Sequence, residues 1–295
     1  MTITPLPISE NRHALECAAL AASIHKSKSE WALPFGIRPI DPTRFVDNIR
    51  DDNHFNLDEK EGVLFDPQTG LKVGLYEKEG ILYVVFGALG SNDSEMSDKK
   101  ESRAFRKKML KSSVKSLVYG APDFFDQADQ LLHQIRAKSE GKQIHLSGQS
   151  LGAAIATYVS LKHQLPATAL NSMALGPGLQ KKIGRDNLIR AKSLITQIVT
   201  DGDWISNPPK HVRASSIFFE LHGITTPAIL GKRYVIPHAK AYETDNFLKS
   251  IGNIHKFILG NLLVHEDPKA EDLASKIEDP IEFSVLFNEW LREHP

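Results

Sequence analysis

An α/β protein, with a mostly parallel central sheet and helices on both faces, is the fold class this sequence predicts. Three observations predict it. The stretch Lys142–Ser160 reads as a short strand, a glycine-bracketed turn and an apolar helix. The run Ile81–Phe86 is apolar throughout, as a strand buried on both faces must be. Between and beyond these segments, strand-like and helix-like patterns alternate, which is the signature of strands joined by crossover helices. A meander of short strands precedes this alternation and a helical tail follows it. The expected organisation is one domain over 1–295, with its core at about 62–260 and a helical extension at about 261–295.

Composition narrows the function classes. With 295 residues, 41% of them hydrophobic, the chain can bury a sizeable core without staples. Lys and Arg total 36 against 36 Asp and Glu, a balance that argues against nucleic acid as the main partner. Cys17 is the sole cysteine, so an intrachain disulfide and a cysteine-rich metal site are excluded. It sits in the apolar-spaced run Ala14–Ile24 and reads as a small buried hydrophobe. The sequence has no HExxH, no phosphate-binding glycine loop and no dinucleotide fingerprint, so no metal or organic cofactor is implied. No apolar run reaches membrane-spanning length, and the N-terminus lacks the basic and hydrophobic regions of a cleavable signal. A cytoplasmic location is the default expectation, with signal-less export open.

Taken in order, residues 1–60 open with a helix through Leu15, Ala18, Leu20 and Ile24, for which Ser9 or Asn11 would be the cap. Asp47–Lys60 is charged and reads as solvated surface. Turn signals at Asp66–Gly70 and Lys78–Gly80 divide 62–86 into three strands of an antiparallel meander. The loop Gly87-Ala88-Leu89-Gly90-Ser91 follows the central strand. Its small residues let backbone N–H groups approach a ligand, or simply make a tight turn. Residues 99–118 are basic, with Phe105, Met109, Leu110, Val114 and Leu117 at helical spacing. This fits a core-facing helix with a solvated cationic side; a helix resting on anionic lipid and a mobile flap are the alternatives. Pro122–Lys138 reads as an amphipathic helix, Thr168–Leu175, Ile195–Val199, Ser216–Leu221 and Arg233–Ile236 as strands, and Phe257–Val264 and Ile281–Leu291 as helices.

The chemistry gathers at Gly148-Gln149-Ser150-Leu151-Gly152. A serine on so sharp a strand-to-helix turn has its Oγ lifted clear of the sheet. The flanking glycines are needed where strand and helix pass too close for a Cβ. The helix start places N–H groups and the positive end of its dipole beside the hydroxyl. A serine hydroxyl alone is a weak nucleophile. It needs a histidine to take its proton and a carboxylate to orient that histidine. In α/β-hydrolase folds the three follow in the order Ser, Asp, His. Asp201 and Asp203 both stand just past the strand ending at Val199, with Gly202 between them. Downstream, His238 follows a strand directly; His222 also follows one and is the alternate.

These residues resemble the class 3 lipase family, the fungal triacylglycerol-lipase type of α/β hydrolase. The likeness spans roughly Gly62 to Ala241. Ile144-His-Leu-Ser-Gly-Gln-Ser-Leu-Gly-Ala-Ala is similar to the family's Gly-His-Ser-Leu-Gly-Gly-Ala elbow, and Tyr83-Val-Val-Phe-Gly-Ala-Leu to its strand ending in Phe-Arg-Gly-Thr. Asn171–Gly178 resembles the Phe-Asn-x-Pro-Gly strand end. Asp203-Trp-Ile-Ser-Asn-Pro-Pro resembles the Asp-x-Val-Pro-x-x-Pro acid loop, and His238-Ala-Lys-Ala-Tyr242 the catalytic His-x-x-x-Tyr. The resemblance implies a Ser150–Asp203–His238 triad, with Asp203 ahead of Asp201. It further implies an oxyanion hole from the backbone N–H groups of Leu89 and Leu151.

The chain departs from the family at three places. Gln149 stands for the histidine before the nucleophile, Ala153 for a glycine, and Gly87-Ala88-Leu89 for Arg-Gly-Thr, which removes a side-chain hydroxyl from the oxyanion loop. Losing one such donor typically costs about a hundredfold in rate. The expected function is a serine hydrolase acting on a lipid or small ester through an acyl-enzyme. Peripheral membrane contact through 99–118 accompanies that expectation as a further option. An inactive binding module on the same fold, and an acyltransferase or thioesterase with the same triad, are the alternatives.

Overall fold

The computed structural model describes residues 8–24, 33–34, 36–46, 55–58, 62–67, 69–87, 123–200, 229–236, 262–263, 267–270, 273 and 280–293, and the statements below concern these. They form a nine-stranded sheet. Its strands are β1 (Arg38–Pro39), β2 (Asn56–Asp58), β3 (Val63–Phe65), β4 (Lys72–Lys78), β5 (Ile81–Gly87), β6 (Gln143–Gln149), β7 (Ala167–Leu170), β8 (Ile195–Thr200) and β9 (Lys232–Ile236). From β2 to β9 the spatial order is the chain order, and β1 pairs β4. Pairings up to β4–β5 are antiparallel; β5–β6 and all later ones are parallel. The predicted meander and mostly parallel sheet are therefore observed.

Period-two alternation sorts the side chains of the central strands to two cores. Leu82, Val84 and Phe86 of β5, with Ile144 and Leu146 of β6, enter one core with α2 (Asp123–Lys138) and α3 (Leu151–His163). Tyr83 and Val85 face the other, under α1 (Ile8–Ser23) and the C-terminal α7 (Pro280–Glu293), whose Phe287 and Trp290 join it. Burial on both faces is why β5 had to be apolar throughout. α2 buries Phe124, Phe125, Ala128, Leu131, Leu132 and Ile135, the apolar face read from the sequence. α3 is buried from Leu151 to Leu161, so it admits only small or apolar residues with a few satisfied polar ones. Its Tyr158 hydroxyl reaches Asp126 Oδ1 at 3.3 Å, and burial, followed by the charges of Asp126 and Asp129, pushes the phenol's pKa well above its ordinary value. Asp129 then receives Lys162 and, at 2.7 Å, His163 Nε2, fastening the end of α3 to α2.

Several expectations shift. Ser9 and Asn11 lie inside α1, which already includes Ile8. Asp47–Lys60 is not all solvated surface: Phe55 is buried and Asn56–Asp58 forms β2, pairing Leu57 with Leu64. The strand expected over Thr168–Leu175 ends at Leu170, because Asn171 turns left-handed at φ 43°. Three short helices, α4 (Pro177–Ile183), α5 (Arg185–Ile189) and α6 (Ala191–Leu194), then lead to β8. Cys17 is fully buried as expected, but beside His13 instead of among apolar groups alone. Burial pushes its thiol up, yet the charges and hydrogen bonds of His13 and His145 together outweigh this and bring it down to about 5. The facing thiolate in turn raises His13 to about 9. The strand expected at Ser216–Leu221 lies outside the described residues, as does most of the expected helix Phe257–Val264.

Candidate active site

β6 passes directly into α3 at Ser150, which has φ 55° and ψ −117°. For a residue with a Cβ this backbone conformation stores about 1–3 kcal/mol, held only because the surroundings dictate it. The dictating contacts are visible. The Ser150 N–H donates to the Leu170 carbonyl at 3.0 Å, and the Ser150 carbonyl accepts from Ala154 at 3.1 Å and Met173 at 3.2 Å. A Cβ added at Gly148 would lie 2.5 Å from the Gly152 carbonyl oxygen and 2.8 Å from that of Phe86. A Cβ on Gly152 would overlap the Phe86 carbonyl outright. The two glycines are thus required by backbone proximity, as the motif predicts. Ser150 is partly exposed while Gly148, Gln149, Leu151 and Gly152 are buried, so the hydroxyl-bearing residue is the one solvent reaches.

Leu151 is the first residue of α3. Its backbone N–H therefore belongs to the first turn, where donors have no intrahelical acceptor, and sits at the positive end of the helix dipole. A developing oxyanion beside Ser150 would find that donor already in place. Gln149 is buried, and its side-chain Nε2 has no partner among the described residues. The elbow's backbone geometry is formed with glutamine at this position.

Asn171 is a positioning residue that the pattern of the sequence marks only as part of a strand end. It is fully buried; its Oδ1 accepts from the Thr200 N–H at 2.8 Å, and its Nδ2 lies 3.4 Å from Thr200 Oγ1. Its own N–H donates to the Ile198 carbonyl at 2.8 Å. The end of β7 is thereby latched to the end of β8, one residue before Asp201. Asparagine suits this place because it tolerates the left-handed region and its amide can bond to nearby backbone. Asn171→Ala leaves the buried Thr200 N–H without its acceptor and should cost about 1–3 kcal/mol in urea unfolding. Unchanged unfolding midpoints would show that the latch is dispensable.

Of the residues singled out from sequence, Gly148, Ser150, Leu151 and Gly152 are brought together as described. Leu89, Asp201, Asp203, His222, His238 and the basic segment 99–118 lie outside the described residues. The strands leading to the acid and base candidates are described. β8 ends at Thr200 and β9 at Ile236, paired in register with each other. Both run parallel to β6, so they leave the sheet at the edge where Ser150 sits. A cleft lined by Arg136, Ser139, Lys142, Leu165 and Pro166 opens near the other end of β6, away from Ser150.

No family model and no curated protein matches the chain. Solved structures similar to it include a mutant of MDLA from Penicillium cyclopium, at 13% identity and TM-score 0.40, covering 82% of this chain and 85% of that one. A triacylglycerol lipase from Penicillium expansum has 11% identity and TM-score 0.37, over 67% of this chain and 72% of its own. The lipase of Rhizomucor miehei has 10% identity and TM-score 0.35, over 72% and 67%. Fungal lipases are thus among the solved structures the chain is similar to, and at these scores the likeness carries no function across. The sheet and the elbow stand on their own geometry.

Proposed function

We propose that the chain is a serine hydrolase that cleaves carboxylic esters, those of lipids in particular, through Ser150, His238 and Asp203. The observation that carries this reading is the Ser150 turn. A strained, partly exposed serine is clamped between two obligatory glycines at the start of a buried helix. Such a conformation persists only where the surrounding structure over-determines it, and a reactive hydroxyl is what it presents.

The sheet supports the rest by arithmetic. Strand neighbours lie about 4.8 Å apart, so the ends of β8 and β9 stand roughly 10 and 14 Å from that of β6. Asp203 is three residues past Thr200 and His238 two past Ile236. An extended chain covers about 3.3–3.6 Å per residue, which together with the side chains suffices to close both gaps. In the proposed cycle His238 takes the Ser150 proton as Oγ attacks the carbonyl carbon, and Asp203 steadies the resulting imidazolium. The Leu151 N–H, with that of Leu89, receives the oxyanion; the alkoxide leaves with the proton from His238. Water then hydrolyses the acyl-enzyme by the same steps reversed.

A fluorophosphonate probe tests the reading directly, since it labels only an activated serine. Mass spectrometry should place the adduct on Ser150, and an unlabelled protein would mark an inactive module on the same scaffold. His238→Ala should cut nitrophenyl-ester turnover about a thousandfold or more. Asp203→Asn should fall by a comparable factor while Asp201→Asn stays within a few-fold of wild type; the reverse ranking would assign the acid to Asp201. Product analysis with a competing alcohol separates hydrolysis from acyl transfer. No helix among the described residues is long and apolar enough to cross a membrane. Contact with a lipid surface through 99–118 is proposed as peripheral, because the Lys and Arg side chains of that segment suit anionic head groups and not an apolar interior. Flotation with phosphatidylserine liposomes should recover more protein than flotation with neutral ones.

A further inference from the structure

On the face of the sheet opposite α3, three side chains from distant parts of the chain meet under α1. His13 and Cys17 lie four residues apart and so share one face of that helix. His145 is the outward member of the Ile144–His145–Leu146 alternation on β6, which turns it to α1. The Nε2 atoms of His13 and His145 are 3.0 Å apart, and Cys17 Sγ is 3.7 Å from His13 Nε2. All three donor atoms lie within 4.8 Å of one another. We propose that His13, Cys17 and His145 form a binding site for zinc(II), fastening α1 to the strand that delivers Ser150.

The spacing carries the proposal. Zinc binds imidazole nitrogen at about 2.0–2.1 Å and thiolate sulfur at about 2.3 Å in tetrahedral geometry, so its N–N edge is about 3.3 Å and its N–S edge about 3.6 Å. The observed 3.0 and 3.7 Å differ from those edges by a few tenths of an ångström. The donor set is also the right chemistry. One thiolate and two imidazoles select zinc over magnesium or calcium, which take oxygen ligands.

The surroundings fit a held ligand set. Tyr83 Oη lies 3.4 Å from His13 Nδ1, placed to accept its proton and keep Nε2 free for the metal. Thr168 Oγ1 lies 3.0 Å from His145 Nε2, on the rim of the cluster. It can anchor a water in the fourth position. Cys17 is fully buried whereas both histidines are partly exposed, which leaves that position a path to solvent. Sequence alone hides the site: a single cysteine with histidines 4 residues before it and 128 after it matches no metal-binding spacing.

Cobalt(II) substitution tests the site in the full-length protein stripped with a chelator. A thiolate bound to cobalt gives an intense near-ultraviolet charge-transfer band. Cys17 is the only thiol in the chain, so the band can arise from no other residue. The expected result is one equivalent of cobalt bound with that band, displaced by one equivalent of zinc, and a higher Tm with zinc than with chelator. His145→Gln should weaken metal binding at least about tenfold, with its circular-dichroism spectrum preserved. Absence of the band in the wild-type protein overturns the proposal, and needs no variant to fold. A band that survives in both His13→Gln and His145→Gln with undiminished affinity overturns it equally.

Discussion

Ser150→Ala should lower turnover of nitrophenyl esters by about four to six orders of magnitude, with KM nearly unchanged, because the removed oxygen forms the covalent bond and contributes little to binding. Folding should survive the change. The alanine keeps the Cβ and the N–H donated to Leu170, and every backbone bond that shapes the elbow remains. Ser150→Gly separates chemistry from strain. Glycine adopts φ 55° without the Cβ penalty of about 1–3 kcal/mol, less about 0.5–1 kcal/mol for its freer unfolded chain. That variant should be as inactive as the alanine form yet unfold at an equal or higher temperature. A hydrolytic rate that survives in Ser150→Ala would remove this residue from the mechanism. A glycine variant less stable than the alanine one would show that the turn is unstrained.

Gly152→Ala is expected to have the largest effect on stability. Its new methyl has nowhere to go: the obstacle is the Phe86 carbonyl, a backbone group in the middle of the sheet, not the end of a flexible side chain. Overpacking of this kind costs about 3 kcal/mol or more when the backbone must move to relieve it. Thermal unfolding should fall well below wild type, and fluorophosphonate labelling of whatever protein remains folded should slow with it, because the displaced turn is the one that aims Ser150. A Gly152→Ala protein with wild-type Tm and labelling rate would mean that β5 and α3 are not held as close as described.

Much of this was legible from residue patterns, and the reasons differ from element to element. β5 and α3 are buried on all sides, so their composition announced them. The elbow was legible because Gly148 and Gly152 are forced by backbone contact, and a forced residue cannot drift. β1 and β2 were not. Two or three residues are too few to show a period, and β2 lies within a charged run in which, among the described residues, Phe55 and Leu57 face inward. The end of β7 was misplaced because its terminator is conformational: Asn171 leaves the strand to cap β8. The three helices between Pro177 and Leu194 are each too short for a periodic stripe. The meeting of His13, Cys17 and His145 depends on α1 crossing β6, a long-range packing choice that no local spacing encodes.

The carbonyl of Phe86 has one more implication. It presses on both elbow glycines, so the final peptide of β5 and the serine turn behave as a single rigid block. Engineers who wish to alter the proposed activity should therefore leave that peptide and both elbow glycines alone.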